Sequence, residues 1–274
     1  ASGYPNVPAF AGEDALAGWK RVVDAVHAAG GKIAPQLWHV GAIRRPGVMP
    51  GGDTPGHSPS GMIMPGKVTG HAMTQDDIND VVAAFAQAAA DAKEVGFDAI
   101  ELHGAHGYLI DQFFWDGTNQ RDDAYGGDLA ARSKFALEII RACREAVGED
   151  FPIIFRFSQW KQQDYSARLC ETPEALGDFV GALSEAGVDI SEHYSKHIND
   201  LNDVEFDVIF TVCDHANTAC PSFSNGIKVV HTPFDDPPKL ASEITEEGDK
   251  LQCYRQVRDE IKKFVESMGV LLTA

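Results

Sequence analysis

Two histidines and a tyrosine stand close together near the middle of the chain, within residues 98–115. An apolar run at 99–102 leads into His103, His106 and Tyr108. Imidazoles and a phenol can donate hydrogen bonds to a developing oxyanion, or move a proton near neutral pH. In parallel α/β folds, the groups at the carboxyl end of a strand face the ligand. This stretch is therefore predicted to be the centre of an enzyme site.

The same three residues also fit plainer roles. The i, i+3 spacing of His103 and His106 permits a metal pair, but no third ligand stands nearby in the sequence, and no metal site is predicted. Both rings also fit structural positions that are satisfied by the backbone. Tyr108 fits a packed aromatic residue whose hydroxyl reaches water. The residue types alone leave these alternatives open.

Helices and strands alternate along the chain around this stretch. Capping residues and apolar spacing predict helices over 13–30, 74–94, 129–147, 172–187 and 245–268. Short apolar runs predict strands over 32–38, 97–102, 152–158, 187–190, 207–213 and 227–231. The alternation indicates an α/β fold with a mostly parallel sheet flanked by helices. Eight strands are usual for a closed parallel barrel, and six predicted strands leave open whether the sheet closes or stays open.

The composition indicates an acidic protein with enough apolar residues for a full core. The chain has 274 residues, 44% of them hydrophobic, and a formal net charge of -18. A surface this acidic repels phosphate backbones, and no run is apolar enough to span a bilayer, so we expect neither nucleic-acid nor membrane partners. Five cysteines without a close CxxC pair fit a reducing compartment, which predicts a cytoplasmic protein. Exposed sheet edges would also allow a homo-oligomer.

Four sequence blocks carry a resemblance to a known family. They are QLWH at 36–39, ELHGAHGYL at 101–109, NQRDDAYGG at 119–127 and RFSQWK at 156–161. By these blocks, residues 1–190 resemble the Old Yellow Enzyme family of FMN-dependent ene-reductases, which are (β/α)8 barrels. The resemblance implies a partial (β/α)8 barrel with FMN as cofactor and NAD(P)H as reductant, acting on an activated alkene. The last two strands of that barrel, which carry most of the flavin phosphate site, have no match here.

The resemblance implies a role for each matching polar residue. Gln36 would hydrogen-bond the pyrimidine edge of the flavin, and Arg156 would stabilise the reduced, anionic ring. His103 and His106 would donate to the carbonyl or nitro oxygen of the substrate, and Tyr108 would protonate the α-carbon. A strand-end cap for Gln36 and a buried ion pair for Arg156 are the alternative interpretations.

A second resemblance covers residues 185–274. Its blocks are GVDIS at 187–191, TVC at 211–213, CP at 220–221, FDDP at 234–237 and YRQVRDEI at 254–261. They are similar to the thioredoxin-coupled arsenate reductases, which have the flavodoxin-like fold of the low-molecular-weight phosphotyrosine phosphatases. This implies that Cys213 and Cys220 pass a disulfide outward and that Asp236 is a general acid. The Cys-x5-Arg loop of that family is absent.

The two resemblances together predict a chimera of two parts. Residues 1–190 would be the ene-reductase-like part and residues 191–274 the arsenate-reductase-like part, packed into one continuous domain. The first functional hypothesis is an FMN-dependent oxidoreductase. The alternatives are an engineered or recombined scaffold without catalytic activity, and an arsenate reductase remnant. On the plainer interpretation, Cys213 is an inert buried thiol and Asp236 belongs to a turn.

Overall fold

The computed structural model divides the chain into two compact units, Ala1–Glu192 and His193–Ala274. The structure describes residues 3–4, 7–48, 52–193, 206–212, 228–241, 244 and 246–273. The predicted domain boundary at residue 190 stays a prediction, because two compact units do not by themselves show two origins. Each unit is described by itself.

The first unit contains four long helices and one short helix among its described residues. They are α1 Glu13–Ala28, α2 Gln75–Val95, α3 Leu109–Phe114, α4 Leu129–Val147 and α5 Pro173–Ala186. Thr74 and Asp77 form a capping box at the start of α2, and Gly96 ends that helix in the left-handed conformation with φ 101°. Thr172 caps α5, with Pro173 in its first turn. The four long helices predicted for this part of the chain are confirmed.

The strands of the first unit are short. They are β1 Gln36–Leu37, β2 His57–Ser58, β3 Met62–Met64, β4 Lys67–Val68, β5 His71–Ala72, β6 Ile100–Gly104, β7 Ile153–Phe157, β8 Trp160–Lys161 and β9 Asp164–Arg168. The main sheet is parallel, in the order β1-β6-β7. Its strands lie within or overlap the predicted strands 32–38, 97–102 and 152–158, and β8 and β9 form an antiparallel hairpin after β7.

The strand predicted at 187–190 is wrong, because the structure assigns no strand there. The Val188 amide donates to the Leu183 carbonyl at 3.2 Å, which still closes the end of α5. The Ser191 amide then donates to the Asp189 carboxylate at 2.9 Å, which is a turn of the Asx type. The local hydrogen bonds of the helix end therefore replace a ladder in this apolar stretch.

The two faces of the main sheet differ in burial. Ile100 and Leu102 point toward the helices and are fully buried with the apolar residues of α2 and α4. Side chains alternate across a strand, so Glu101 and His103 project to the other face. On that face Ile154 is 48% exposed. Within the described residues the sheet is open at both edges, since β1 and β7 each have a single neighbour.

The second unit contains a parallel strand pair and a long helix. Its elements are β10 Val208–Thr211, β11 Lys228–His231, α6 Pro237–Ala241 and α7 Glu247–Thr273. The strands and the C-terminal helix predicted here are confirmed. Phe264 of α7 packs on Phe210 and Phe234, with ring centroids 5.3 and 5.7 Å away.

No helix in the described part of the chain is both long and apolar enough to cross a membrane.

Candidate active site

The end of β6 and the turn that follows it bring the three predicted catalytic residues together. This segment, residues 103–108, is called the imidazole loop below. His106 has φ 60° and Gly107 has φ 76°, so the backbone turns sharply through two left-handed residues. The ring centroid of His103 lies 5.0 Å from that of His106 and 5.6 Å from that of Tyr108. The grouping predicted from the sequence is therefore present in the structure.

The aromatic rings of Trp38 and Tyr4 pack beside this group. The Trp38 ring lies 4.4 Å from the Tyr108 ring and 6.4 Å from the His103 ring. The Tyr4 ring packs on Trp38 at 5.5 Å, and the Arg45 guanidinium lies over Tyr4 at 4.7 Å. The sequence interpretation did not assign these three residues a role, although Trp38 belongs to the block QLWH.

The His103 side chain is buried but keeps an unsatisfied nitrogen. It is 3% exposed, and its Nδ1 has no hydrogen-bond partner among the described residues. The Glu101 carboxylate lies 3.7 Å away, which is too far for a hydrogen bond. Burial lowers the pKa of His103, and the neighbouring charge of His106 lowers it further, against the opposite influence of Glu101. His103 is therefore neutral near pH 7 and offers one N–H.

The Tyr108 hydroxyl is held in its protonated form. Burial raises the pKa of Tyr108, and the nearby Tyr4 raises it further. Within the described chain, no residue hydrogen-bonds the Tyr108 hydroxyl. A protonated phenol without an internal partner beside two imidazoles has the properties of a proton donor to a bound molecule.

The two residues predicted to face the flavin lie on the exposed face of the main sheet. Gln36 donates from Nε2 to the Glu101 carboxylate at 2.7 Å, which ties β1 to β6. Arg156 is the register partner of His103, so both side chains project to the same face. The Arg156 side chain is exposed and makes no hydrogen bond or ion pair with the residues that the structure describes. The buried ion pair that was the alternative interpretation of Arg156 is not formed.

Polar residues that the sequence interpretation missed hold the backbone of the imidazole loop. The His106 amide donates to the Ser158 hydroxyl at 3.1 Å, and the Gly107 amide donates to the Asp111 carboxylate at 2.8 Å. Gln112 donates from Nε2 to the Gly107 carbonyl at 2.7 Å. The available signal was a pair of polar residues inside the apolar run LIDQFF.

The predicted thiol shuttle is not tested by the described residues. Cys213 and Cys220 lie outside the described residues. Asp236 is exposed, and its carbonyl accepts from the Leu240 amide at 3.0 Å at the start of α6. That hydrogen bond gives Asp236 a place at a helix start, and its role as a general acid stays a prediction. Within the described ranges, no three His, Cys, Asp or Glu residues are placed to hold a metal ion.

A comparison with protein families decides the class of this site. The model of the NADH:flavin oxidoreductase / NADH oxidase family matches residues 1–251. The chain belongs to this family. The match extends past residue 190 through β10 and β11 into the start of α7. The arsenate-reductase resemblance of residues 185–274, and with it the chimera, stay predictions.

Several members of the NADH:flavin oxidoreductase family are similar to the chain over part of their length. Flavin oxidoreductase hxnT of Emericella nidulans is 46% identical over 159 residues, which are 55% of this chain and 40% of that protein. The 12-oxophytodienoate reductase 2 of Arabidopsis thaliana is 39% identical over 199 residues, covering 69% and 52%. "Probable inactive reductase easA" of Epichloe festucae var. lolii is 40% identical over 190 residues, covering 69% and 50%. The chain thus spans about half the length of these relatives.

A solved structure supports the fold. Morphinone reductase in complex with tetrahydroNAD superposes with a TM-score of 0.61 at 29% identity, covering 84% of this chain and 69% of that chain. The predicted α/β class with a mostly parallel sheet and flanking helices is confirmed, and it is similar to the barrel of that reductase. The flavodoxin-like fragment predicted for the second part stays a prediction.

Proposed function

We propose that this chain carries the site of an FMN-dependent ene-reductase, in which NAD(P)H is the reductant and an activated alkene is the small-molecule substrate. One observation carries the proposal. A neutral imidazole, a second imidazole and a protonated phenol gather at the carboxyl end of β6, beside a guanidinium that no described residue neutralises. This set matches a reaction in which negative charge and a proton meet at one small molecule.

The exposed face of the main sheet fits the pyrimidine edge of a flavin. That edge presents carbonyl oxygens and ring nitrogens, and it becomes anionic on reduction. Arg156 supplies several N–H donors and a fixed positive charge, and Gln36 supplies an amide that both donates and accepts. Bound there, FMN would accept hydride from NAD(P)H and pass it to the β-carbon of the alkene.

The imidazole loop supplies the contacts to the substrate oxygen. His103 and His106 would donate N–H groups to a carbonyl or nitro oxygen, on which negative charge grows during reduction of the alkene. The lowered pKa of His103 keeps its ring neutral. A neutral N–H group therefore donates to the oxygen, and the site does not have to stabilise a buried cation. The burial of the ring strengthens this hydrogen bond because water does not compete for it.

Tyr108 completes the reaction by donating a proton. Its raised pKa keeps the hydroxyl protonated at neutral pH, and its ring is fixed between Trp38 and His103. Transfer from the Tyr108 hydroxyl to the α-carbon would place the second hydrogen of the reduced alkene. A phenylalanine at this position would keep the packing and remove the proton.

The alternative is a folded scaffold without catalytic activity. In the Old Yellow Enzyme family, most of the flavin phosphate site lies on the last two barrel strands. The chain spans about half the length of its relatives, and one of those relatives is called a probable inactive reductase. If this alternative holds, the donors on the sheet face are present but do not retain FMN.

Flavin binding separates these two functions. The purified chain would be mixed with FMN, desalted and examined by visible absorption, and the affinity then measured by quenching of flavin fluorescence. We expect a retained flavin band, and an affinity at least about 10-fold lower in Arg156→Ala. Arg141→Ala is the matched control, because Arg141 is an exposed arginine on α4 whose side chain makes no hydrogen bond within the described chain. No band in the parent chain would overturn the proposal.

Reduction of an enone then tests the imidazole loop. With flavin bound and NADPH supplied, Tyr108→Phe should slow alkene reduction by about 10²-fold or more while leaving FMN affinity unchanged. An unchanged rate in Tyr108→Phe would remove the proton-donor role. Cytoplasmic location and a homo-oligomer are further proposals that rest on the acidic, cysteine-poor sequence and on the open sheet edges.

A further inference from the structure

A buried ion pair lies directly behind the imidazole loop. Lys161 Nζ is 2.5 Å from Asp111 Oδ1, and each side chain is 1% exposed. Removing two charges from water is unfavourable, and apolar residues of the same size often stabilise a fold equally well. Stability alone therefore does not explain why this position holds a charged pair.

The second oxygen of Asp111 contacts the loop itself. Asp111 Oδ2 accepts the Gly107 amide hydrogen at 2.8 Å. The Gly107 carbonyl accepts from Gln112 Nε2 at 2.7 Å, and Gln112 Oε1 accepts from the Ala42 amide at 3.2 Å. Both polar atoms of the Gly107 backbone are thus bonded to side chains of α3, one of which is fastened to the segment after β1.

Lys161 connects the loop to a third segment of the site. It stands on β8 in the hairpin that follows β7, whereas Asp111 stands on α3 after β6. Gln163 of the same hairpin closes around the loop, since a Cβ added at Gly107 would lie 2.1 Å from its Nε2. The ion pair therefore holds together the polypeptide segments at the carboxyl ends of two neighbouring strands.

The ion pair and the hydrogen bonds to Gly107 hold a backbone conformation that is unfavourable in itself. His106 at φ 60° is the only residue other than glycine with a positive φ in the described structure. The left-handed region is unfavourable for a residue other than glycine, so the surrounding contacts must impose it. Gly107 follows His106 directly, and fixing its amide fixes the direction in which the His106 ring leaves the chain.

We propose that Asp111 and Lys161 are positioning residues that hold the Gly107 backbone, and through it set the His106 and Tyr108 rings against His103. Lys161 pairs with the Asp111 carboxylate and orients it, and Asp111 holds the loop. The catalytic consequence rests on the proposed function, whereas the structural consequence does not.

Two double variants test this without leaving a buried charge unpaired. Asp111→Asn with Lys161→Met removes both charges but keeps a side-chain oxygen that can accept the Gly107 amide hydrogen. Asp111→Leu with Lys161→Met removes the charges and the acceptor together. The two variants have side chains of similar size, so they differ mainly in the anchor of the loop.

The first readout needs no flavin. The titration of the His103 ring would be followed by NMR of protein labelled with ¹⁵N-histidine, with His103→Gln used for assignment. In Asp111→Leu/Lys161→Met the His103 midpoint should move up toward its ordinary value of 6.5, because the ring loses burial and the neighbouring His106. In Asp111→Asn/Lys161→Met it should stay at the value of the parent chain. Equal titration in both variants would overturn the proposal, and urea unfolding of each variant would show that it is folded.

The second readout uses the flavin-loaded protein. We expect the KM for an enone to rise by at least about 10-fold in the leucine variant and to stay within about 3-fold in the asparagine variant. FMN affinity should be the same in both, because Gln36 and Arg156 are untouched. If the parent chain binds no FMN, only the proposed function is overturned. The histidine titration would still decide whether the ion pair positions the rings.

Discussion

The imidazole loop and the exposed face of the main sheet are adjacent on β6, yet they are held in different ways. In the loop, the backbone of Gly107 is bonded on both sides and His103 is 3% exposed. On the sheet face, Ile154 is 48% exposed and Arg156 is unpaired among the described residues. The difference shows that internal hydrogen bonds hold the imidazole loop, whereas the sheet face is exposed where Ile154 and Arg156 lie.

The geometry of a parallel barrel explains this contrast. Loops at the carboxyl ends of neighbouring strands contact each other as soon as two or three strands are paired. The inner face of a sheet is covered only when the barrel closes and its residues interdigitate. The three-stranded sheet therefore brings the loops at its carboxyl edge into contact, and it leaves the face that carries Ile154 and Arg156 exposed.

The largest difference is expected from one substitution made in both regions. Lys161→Met leaves the buried Asp111 carboxylate without its partner and should lower the free energy of unfolding by about 3–5 kcal/mol. Arg156→Met, which removes an exposed cation, should change it by less than about 0.5 kcal/mol. Urea denaturation followed by circular dichroism measures both. Equal losses would mean that the two cations are buried to the same extent in solution.

Two neighbouring isoleucines test the exposure of the sheet face. Ile153 is 5% exposed toward the helices and Ile154 is 48% exposed on the other face. Ile153→Thr should lower the free energy of unfolding by about 2 kcal/mol, because it buries a hydroxyl and loses apolar area. Ile154→Thr should cost less than about 0.5 kcal/mol in the same denaturation assay. A large loss for Ile154→Thr would show that this face is covered in solution, and the contrast between the regions would fail.

Acid should weaken the loop region through His39. The His39 carbonyl accepts from the Leu109 amide at 3.1 Å, and burial lowers the pKa of its ring to about 3. Below pH 6.5 the unfolded chain binds a proton at His39 that the folded chain does not. Stability should therefore fall with decreasing pH between 6.5 and about 3, by up to about 1.4 kcal/mol per pH unit from this group.

The His39 contribution is isolated by difference. Unfolding free energies of the parent chain and of His39→Gln would be compared from pH 7 to pH 4, so that the titration of carboxylates cancels. The parent chain should lose stability more steeply than the variant. Parallel curves would show that the ring is exposed enough to titrate normally.

Two glycines give the smallest expected difference. Gly107 and Gly127 have φ values of 76° and 93°, so alanine is strained at both by about 1–2 kcal/mol. A Cβ at Gly107 would meet Gln163, whereas nothing lies within 4 Å of a Cβ at Gly127. Gly107→Ala should therefore lower the free energy of unfolding by about 1 kcal/mol more than Gly127→Ala does. Urea denaturation of both variants measures this difference. Equal losses would mean that the hairpin after β7 does not close on the loop.

Local sequence patterns were sufficient for most of the fold and for part of the site. The cap at Thr74 and the cap at Thr172 mark helix starts that the structure confirms, because a cap is satisfied by residues within one turn. His103, His106 and Tyr108 could be grouped from the sequence because all three lie within residues 103–108. The apolar run at 187–190 was wrongly predicted to be a strand, because only its local pattern was considered. In the structure, the Val188 amide closes the end of α5.

The sequence by itself determined the positions of the long helices and of strands β1, β6, β7, β10 and β11, the grouping of the three loop residues and the resemblance to a flavin-dependent family. Only the tertiary structure decided that Lys161 meets Asp111 across 50 positions, that the Trp38 and Tyr108 rings pack edge to face, and that Ile154 faces outward while Ile153 faces the helices. The physical reason is that these contacts follow from the strand order β1-β6-β7 and its register. Strand order joins segments that are far apart in the chain, and no local period or cap encodes it.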